Sequence, residues 1–351
     1  MRVYADNEML DYCGRIDFSD KSAPVFIYPC TCVKMKFKGT SVNVVLRNKS
    51  QYWDNYMGAV LDGEQIRVKL SAEDEIKTYK IDDGLEDTEH ELLFFKRQDA
   101  CHVVEFYGFE LNEGAKVLQV TGKKKRRIEV YGDSVSAGEV SEAVEYVGKE
   151  DPKHNGEYSN SWYSYAWITA RKLDADIHDI AQGGVALLND TGWFFAPNYI
   201  GMEQIYDKLS YNPALGEIKK WDFSKYRPHV VIVAIGQNDN HPQDYMAENY
   251  NCEKAVYWRK SYKQFIEQLR EQYPDTEIIL TTTILKHDAA WDKAIDEVCK
   301  ELNDEKIHHF YYKENGVGTP GHIRIPEAEK MAEELAAYIE TLGENIWESE
   351  K

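Results

Sequence analysis

The chain changes its hydrophobic rhythm once, and that change limits the folds open to it. Up to about residue 122 only short apolar or alternating runs occur; from Ile128 onward such runs alternate with amphipathic helical stretches. The second pattern implies a mostly parallel sheet with helices as crossovers. Its most continuous apolar run, Val230 to Ile235, suits a central strand buried on both faces. Further strands are expected at Asp176–Ala181, Glu277–Thr283 and Ile307–Tyr311. Helices are expected at Ser161–Leu173, Met202–Leu209, Tyr257–Gln272, Trp291–Leu302 and Pro326–Leu342. Residues 139 to 160 read as a polar surface loop and the acidic end after Gly343 as frayed.

The first 122 residues read as a β-sandwich, most simply a jelly roll. Val25–Tyr28 lies between Pro24 and Pro29, which suits a short edge strand. Lys38-Gly39, Asp62-Gly63, Asp82-Asp83-Gly84 and Asn112-Glu113-Gly114 punctuate the runs as turns. Two domains are therefore expected, 1–122 and 123–351. The basic run Lys123 to Arg127 reads as a solvated linker into the first strand of the second domain.

Net charge is −19, from 61 acidic and 42 basic residues, which disfavours nucleic acid, anionic lipid and anionic polymers as partners. The 24 Tyr and 8 Trp fit the handling of sugar rings. Six cysteines are spaced neither as C-x-x-C nor for zinc and read as reduced thiols. Met1 to Asp6 has no apolar run behind it and no transmembrane stretch follows. A cytoplasmic location is expected, or an extracellular one if a leader has been removed. The sequence carries no signal for or against oligomers.

The chemistry concentrates at strand ends, where open parallel sheets build sites. Arg127 to Gly132 reads as a strand that breaks at Gly132-Asp133 and places Ser134 in the first turn of a helix. There the helix N-terminus offers N–H groups and positive potential to an oxyanion. A capping residue would look the same. A serine nucleophile needs a base, and His322, in the Gly/Pro-rich loop Gly316 to Gly321 ahead of the last helix, is the best candidate. His241 and His287 also follow strand ends. Asp133 and Asp239 are expected to brace loops.

Ser134 in Gly132-Asp133-Ser134, the Gly183-Gly184 turn, Gly236-Gln237-Asn238-Asp239 and Gly321-His322 follow one another in an order that resembles the SGNH hydrolases. With Arg15 to Ser19, Phe37 to Val42, Leu61-Asp62-Gly63 and Leu85 to His90, the chain resembles the carbohydrate esterase family 2 acetyl esterases over nearly its whole length. The resemblance implies a β-sandwich followed by a three-layer α/β/α SGNH domain. It implies Ser134 as nucleophile and His322 as base. The oxyanion donors would be the Ser134 N–H, the Gly183 N–H and the Asn238 amide. Gly184 is an alternative to Gly183, because Gln182-Gly183-Gly184 departs from the usual Ser-Gly pattern.

The position three before the histidine, an Asp in most SGNH hydrolases, is Thr319. A backbone carbonyl of Gly316 to Gly321 is the favoured replacement as orienter of the imidazole. Glu314 and a side chain from another loop are the other choices. Trp193, after the Gly183 turn, is a candidate sugar-stacking residue or else a core aromatic.

The implied reaction removes O-acetyl groups from xylan or mannan oligosaccharides or polysaccharides, often at primary hydroxyls, with acetyl transfer between sugars permitted and no cofactor or metal required. A general short-chain carboxylesterase and a non-catalytic carbohydrate-binding protein remain as alternatives. For the N-terminal domain, both a sugar-binding accessory role and a packing role stay open.

Overall fold

The computed structural model describes residues 1–348. Two antiparallel six-stranded sheets come first. One is ordered Ile16–Asp17, Val25–Phe26, His102–Leu111, Val42–Ser50, Ile76–Asp82; the other Lys116–Leu118, Cys32–Gly39, Thr88–Lys96, Tyr56–Leu61, Glu64–Lys69. Alternate residues of both, among them Val44, Leu46, Val104 and Phe106 facing Val33, Met35, Ala59 and Phe94, fill one core between them. The Asp62-Gly63 turn joins two strands in register, with both residues at positive φ, as a two-residue hairpin requires. Val25–Phe26 differs from expectation. It pairs on both sides, with Ile16–Asp17 and with His102–Leu111, and so lies one strand in from the edge.

The second half holds a five-stranded parallel sheet: Ala175–Ala181, Arg126–Gly132, Val230–Ala234, Glu277–Thr281, Ile307–His309. The central strand is buried throughout, and its residues divide between two cores. Val231 and Val233 face the helices Glu253–Gln272 and Ala289–Leu302. Val230, Ile232 and Ala234 face Tyr165–Lys172 and Ile325–Thr341. That two-sided burial is why the run shows no alternation.

Helix boundaries moved where a cap decided them. Ser164 accepts a bond from the Trp167 N–H, so the expected helix from Ser161 opens as a 3-10 turn and becomes α-helical at Tyr165. The helix expected from Tyr257 starts at Glu253, because Cys252 caps it. The stretch from Met202 is helical only to Ile205; Leu209 belongs instead to a ribbon, Lys208–Ser210 with Lys219–Lys220. Past Gly343, Glu344–Trp347 forms a turn, and the Arg126 guanidinium lies 4.9 Å from the Trp347 ring. The rest of the acidic end, residues 349–351, lies outside the described residues. All six cysteines are free. No helix among the described residues is long and apolar enough to cross a membrane.

The two halves are locked together by Arg15. Its fully buried guanidinium donates to the Tyr131 hydroxyl at 2.8 Å and pairs with buried Glu129 at 3.3 Å, at the root of the strand that leads to Ser134. An uncompensated charge would remain if either partner were lost.

Candidate active site

The strand Arg126–Gly132 ends against a four-residue helix, Ser134–Ala137. Only glycine fits at position 132, since a Cβ there would stand 2.0 Å from the Ser136 hydroxyl. Asp133 caps the helix by accepting from the Val135 N–H at 3.0 Å. Its other oxygen accepts from the Gln237 and Asn238 amides at 2.6 and 3.1 Å, which fastens the loop after the central strand to the serine turn. Burial pushes the Asp133 carboxyl up to about 6, against those donors. Asp239 braces the neighbouring loop as expected, accepting from the Leu187 and Leu188 N–H groups. Ser134 is 5% exposed. Its hydroxyl makes no hydrogen bond within the described residues, yet it is not sealed from solvent.

The His322 ring was expected to lean on a carbonyl of its own loop. It does not. His322 Nδ1 donates to Asp151 Oδ2 at 2.5 Å. The other Asp151 oxygen accepts from the His322 backbone N–H at 2.9 Å and from the Arg324 guanidinium at 2.7 Å. Arg324 is fully buried and also donates to the His322 carbonyl. Thr319, at the position an aspartate usually holds, is buried and pairs with Leu285. Glu314 is exposed and does not bond the ring. Although burial opposes an ionised carboxylate, its donors, the His322 ring first, hold the Asp151 carboxyl well below the usual range.

Asp151 comes from the stretch expected to be a surface loop. That loop is docked. Ser141 and Ser159 to Ser161 are buried, the Asn155 carbonyl accepts from the Asp54 N–H, and His154 packs on Trp53 at 4.9 Å between ring centroids. The sandwich therefore steadies the loop that carries Asp151. It also reaches the site directly. Asp99 Oδ2 accepts from the Gly183 N–H and the Gln182 amide, each at 2.7 Å.

Two of the three expected oxyanion donors are thus already engaged. The Gly183 N–H serves Asp99, and the Asn238 amide serves Asp133 and the Val185 carbonyl at 3.1 Å each. Gly184, with φ +73°, has no acceptor for its N–H among the described residues. Trp193 is not a core residue. It is 58% exposed, with one face stacked on His241 at 3.4 Å. His241 is occupied there, and His287 is held by Asp292 and the Leu285 carbonyl.

Glu139, five residues past the serine, was not anticipated. Its Oε2 lies 4.0 Å from His322 Nε2, and its side chain is 15% exposed. Burial pushes the Glu139 carboxyl up to about 7, with the His322 charge pulling the other way. Burial alone would lower the imidazole, but the charges of Glu139 and Asp151 raise it to about 9. Among the described residues, no group of three or more His, Cys, Asp or Glu is placed to hold a metal ion.

Some of this was open to sequence reading. Arg324 stands two residues past His322, and a buried cation there implies a carboxylate nearby. Nothing in spacing joins Asp151, 171 positions away, to His322.

Residues 12–120 match the family profile described as carbohydrate esterase 2 N-terminal. Over 345 residues the chain is 30% identical to the cellulase/esterase CelE of Acetivibrio thermocellus, covering 95% of this chain and 39% of that protein. It is 24% identical over 344 residues to an acetylxylan esterase / glucomannan deacetylase of Cellvibrio japonicus, covering 96% of this chain and 90% of that one. A solved family two carbohydrate esterase from Clostridium thermocellum, in complex with cellohexaose, superimposes with a TM-score of 0.79 at 28% identity, over 95% of this chain and 98% of that one. The profile covers the first half only, while the relatives and the solved esterase span both, and over its whole length the chain is similar to carbohydrate esterase family 2.

Proposed function

We propose that this protein is a serine esterase that removes acetyl groups from xylan- or mannan-type oligosaccharides. The observation that carries the reading is the His322–Asp151 pair, whose ring charge reaches Asp133, the residue that caps the helix opened by Ser134. The names of the relatives, an acetylxylan esterase / glucomannan deacetylase and an esterase bound to cellohexaose, support the substrate class.

In this reading Ser134 Oγ attacks the acetyl carbonyl while His322 Nε2 takes its proton. His322 then gives the proton to the sugar oxygen as its bond to the acetyl carbon breaks, which frees the sugar hydroxyl and leaves an acetyl-enzyme. A water, deprotonated by the same nitrogen, then attacks the acetyl carbon, and acetate leaves as the proton passes back to Ser134 Oγ; a second sugar hydroxyl in place of water gives transacetylation. Asp151 holds the tautomer in which Nδ1 carries the proton and Nε2 is free to accept, and its charge stabilises the imidazolium. The oxyanion is served by the Ser134 N–H at the open helix start, and by the Asn238 amide once it gives up Asp133 or the Val185 carbonyl. The Gly183 N–H joins them when Asp99 releases it; the Gly184 N–H is the alternative. Trp193 offers its uncovered face to a sugar ring.

The test is acetate release from defined acetylated xylo- and manno-oligosaccharides, beside aryl acetate and aryl octanoate. Acetyl esters should be strongly preferred, since unaccommodated methylenes overpack a small pocket at about 1–3 kcal/mol. Equal rates on acetyl and octanoyl esters would indicate a general esterase. No turnover of any ester would indicate a binding protein.

A further inference from the structure

We infer that Glu139 is the acceptor for a free sugar hydroxyl next to the acetyl ester, and so selects partly acetylated neutral sugars. The inference rests on the esterase reading above and adds a specificity-determining residue to it.

Glu139 is placed for this by three observations. The first is its position: Oε2 lies 4.0 Å from His322 Nε2, the nitrogen that must meet the leaving oxygen of the ester. A hydroxyl on the adjacent sugar carbon falls within the same few ångströms. The second is its lack of partners. Asp133, Asp151 and Asp239 each accept hydrogen bonds from this chain, whereas no side-chain or backbone donor among the described residues reaches either oxygen of Glu139. Its oxygens are not sealed from solvent, so water serves them until a ligand supplies the donors that the protein does not. The third is the wall beside it. A methyl group at Gly183 would meet Glu139 Oε2 at 2.6 Å and Asp99 Oδ2 at 2.8 Å, so two carboxylates border one spot over a turn that has no side chain. A carboxylate takes donors only. With a second carboxylate adjoining, the spot suits a neutral hydroxyl and repels a uronate.

The other free acceptor of a proton nearby is His322 itself. Glu139 could therefore act only through the charge of that ring, and the experiment must separate the two roles. A change in the ring affects every ester alike. A lost hydroxyl contact affects only esters that carry the hydroxyl.

The experiment compares Glu139→Gln with wild type on a mono-acetylated xyloside bearing a free adjacent hydroxyl, on its analogue deoxygenated at that position, and on aryl acetate, each across pH. In wild type the hydroxyl-bearing ester should be preferred over the deoxy analogue by roughly tenfold or more, a hydrogen bond to a charged group being the difference. In Glu139→Gln that preference should collapse to within about threefold, mainly through KM, at every pH. A wild-type enzyme that treats the two xylosides alike overturns the inference, and this arm needs no variant to fold. A variant that keeps the wild-type preference overturns it too. A wild type inert toward aryl acetate and both xylosides would overturn the esterase reading, and the inference with it.

Discussion

Two carboxylates flank the His322 ring, and they are unlike. Asp151, on the Nδ1 side, is saturated. It takes the ring N–H, the His322 backbone N–H and the Arg324 guanidinium, and it is held ionised. Glu139, on the Nε2 side, has no donor from the protein and is pushed toward neutrality. The two differ in their donors as well as in their distance from the ring, 2.5 Å against 4.0 Å. In the proposed reaction the one with fixed partners orients the base. In the inference above, the one without is left for a ligand.

The largest losses are expected at the ring between the two carboxylates and at the serine it serves. His322→Ala and Ser134→Ala should each lower kcat/KM by on the order of 10³-fold or more with the melting temperature little changed, since they act as one unit with a residual rate from binding and oxyanion donors. A variant within about tenfold of wild type would remove that residue from the mechanism.

Asp151→Asn comes next. Losing the acceptor on Nδ1 lets the wrong tautomer form, and kcat should fall on the order of 10³-fold on every acetyl ester. If the loss is confined to sugar esters, Asp151 binds substrate and the two carboxylates have been assigned the wrong way round.

The pH profile sharpens the contrast further. His322 must be neutral to act as base, and its folded pKa is raised to about 9 by the charges of Glu139 and Asp151. The rate should therefore climb with pH through that region and be low where the ring is protonated. Glu139→Gln removes one of those charges, so the rising limb should move to lower pH on all esters. A limb unmoved by Glu139→Gln would show that the carboxylate does not act on the ring. The smallest effect is expected at Glu314→Gln, which should alter kcat/KM by less than about twofold, because the side chain is exposed and makes no hydrogen bond to the His322 ring.

Sequence reading found the elements whose signal is local. The Ile128–Gly138 turn, the apolar run at 230–235 and the Asp-Gly hairpin each state their geometry within a dozen residues. Thr319 showed that the usual acid was absent. It could not show what replaced it, because Asp151 reaches His322 only after the 139–160 loop has docked on Trp53 and Asp54 of the sandwich. Polar composition made that loop look solvated, and Val144 to Glu150 are indeed exposed, but Asp151 behind them joins the charge network at His322. Glu139 was hidden for a related reason: one acidic residue in a Glu-rich chain becomes distinctive only once burial has removed its neighbours' donors.

The central claim, that one fixed and one unpartnered carboxylate bracket a single imidazole, is tested most directly by ¹⁵N NMR titration of the His322 ring in wild type, Asp151→Asn and Glu139→Gln. The account predicts a wild-type ring that titrates well above the ordinary 6.5 and keeps its proton on Nδ1 when neutral, a lower pKa in both variants, and loss of the Nδ1–H tautomer only in Asp151→Asn. A wild-type ring that titrates near 6.5 with its neutral proton on Nε2 would contradict it.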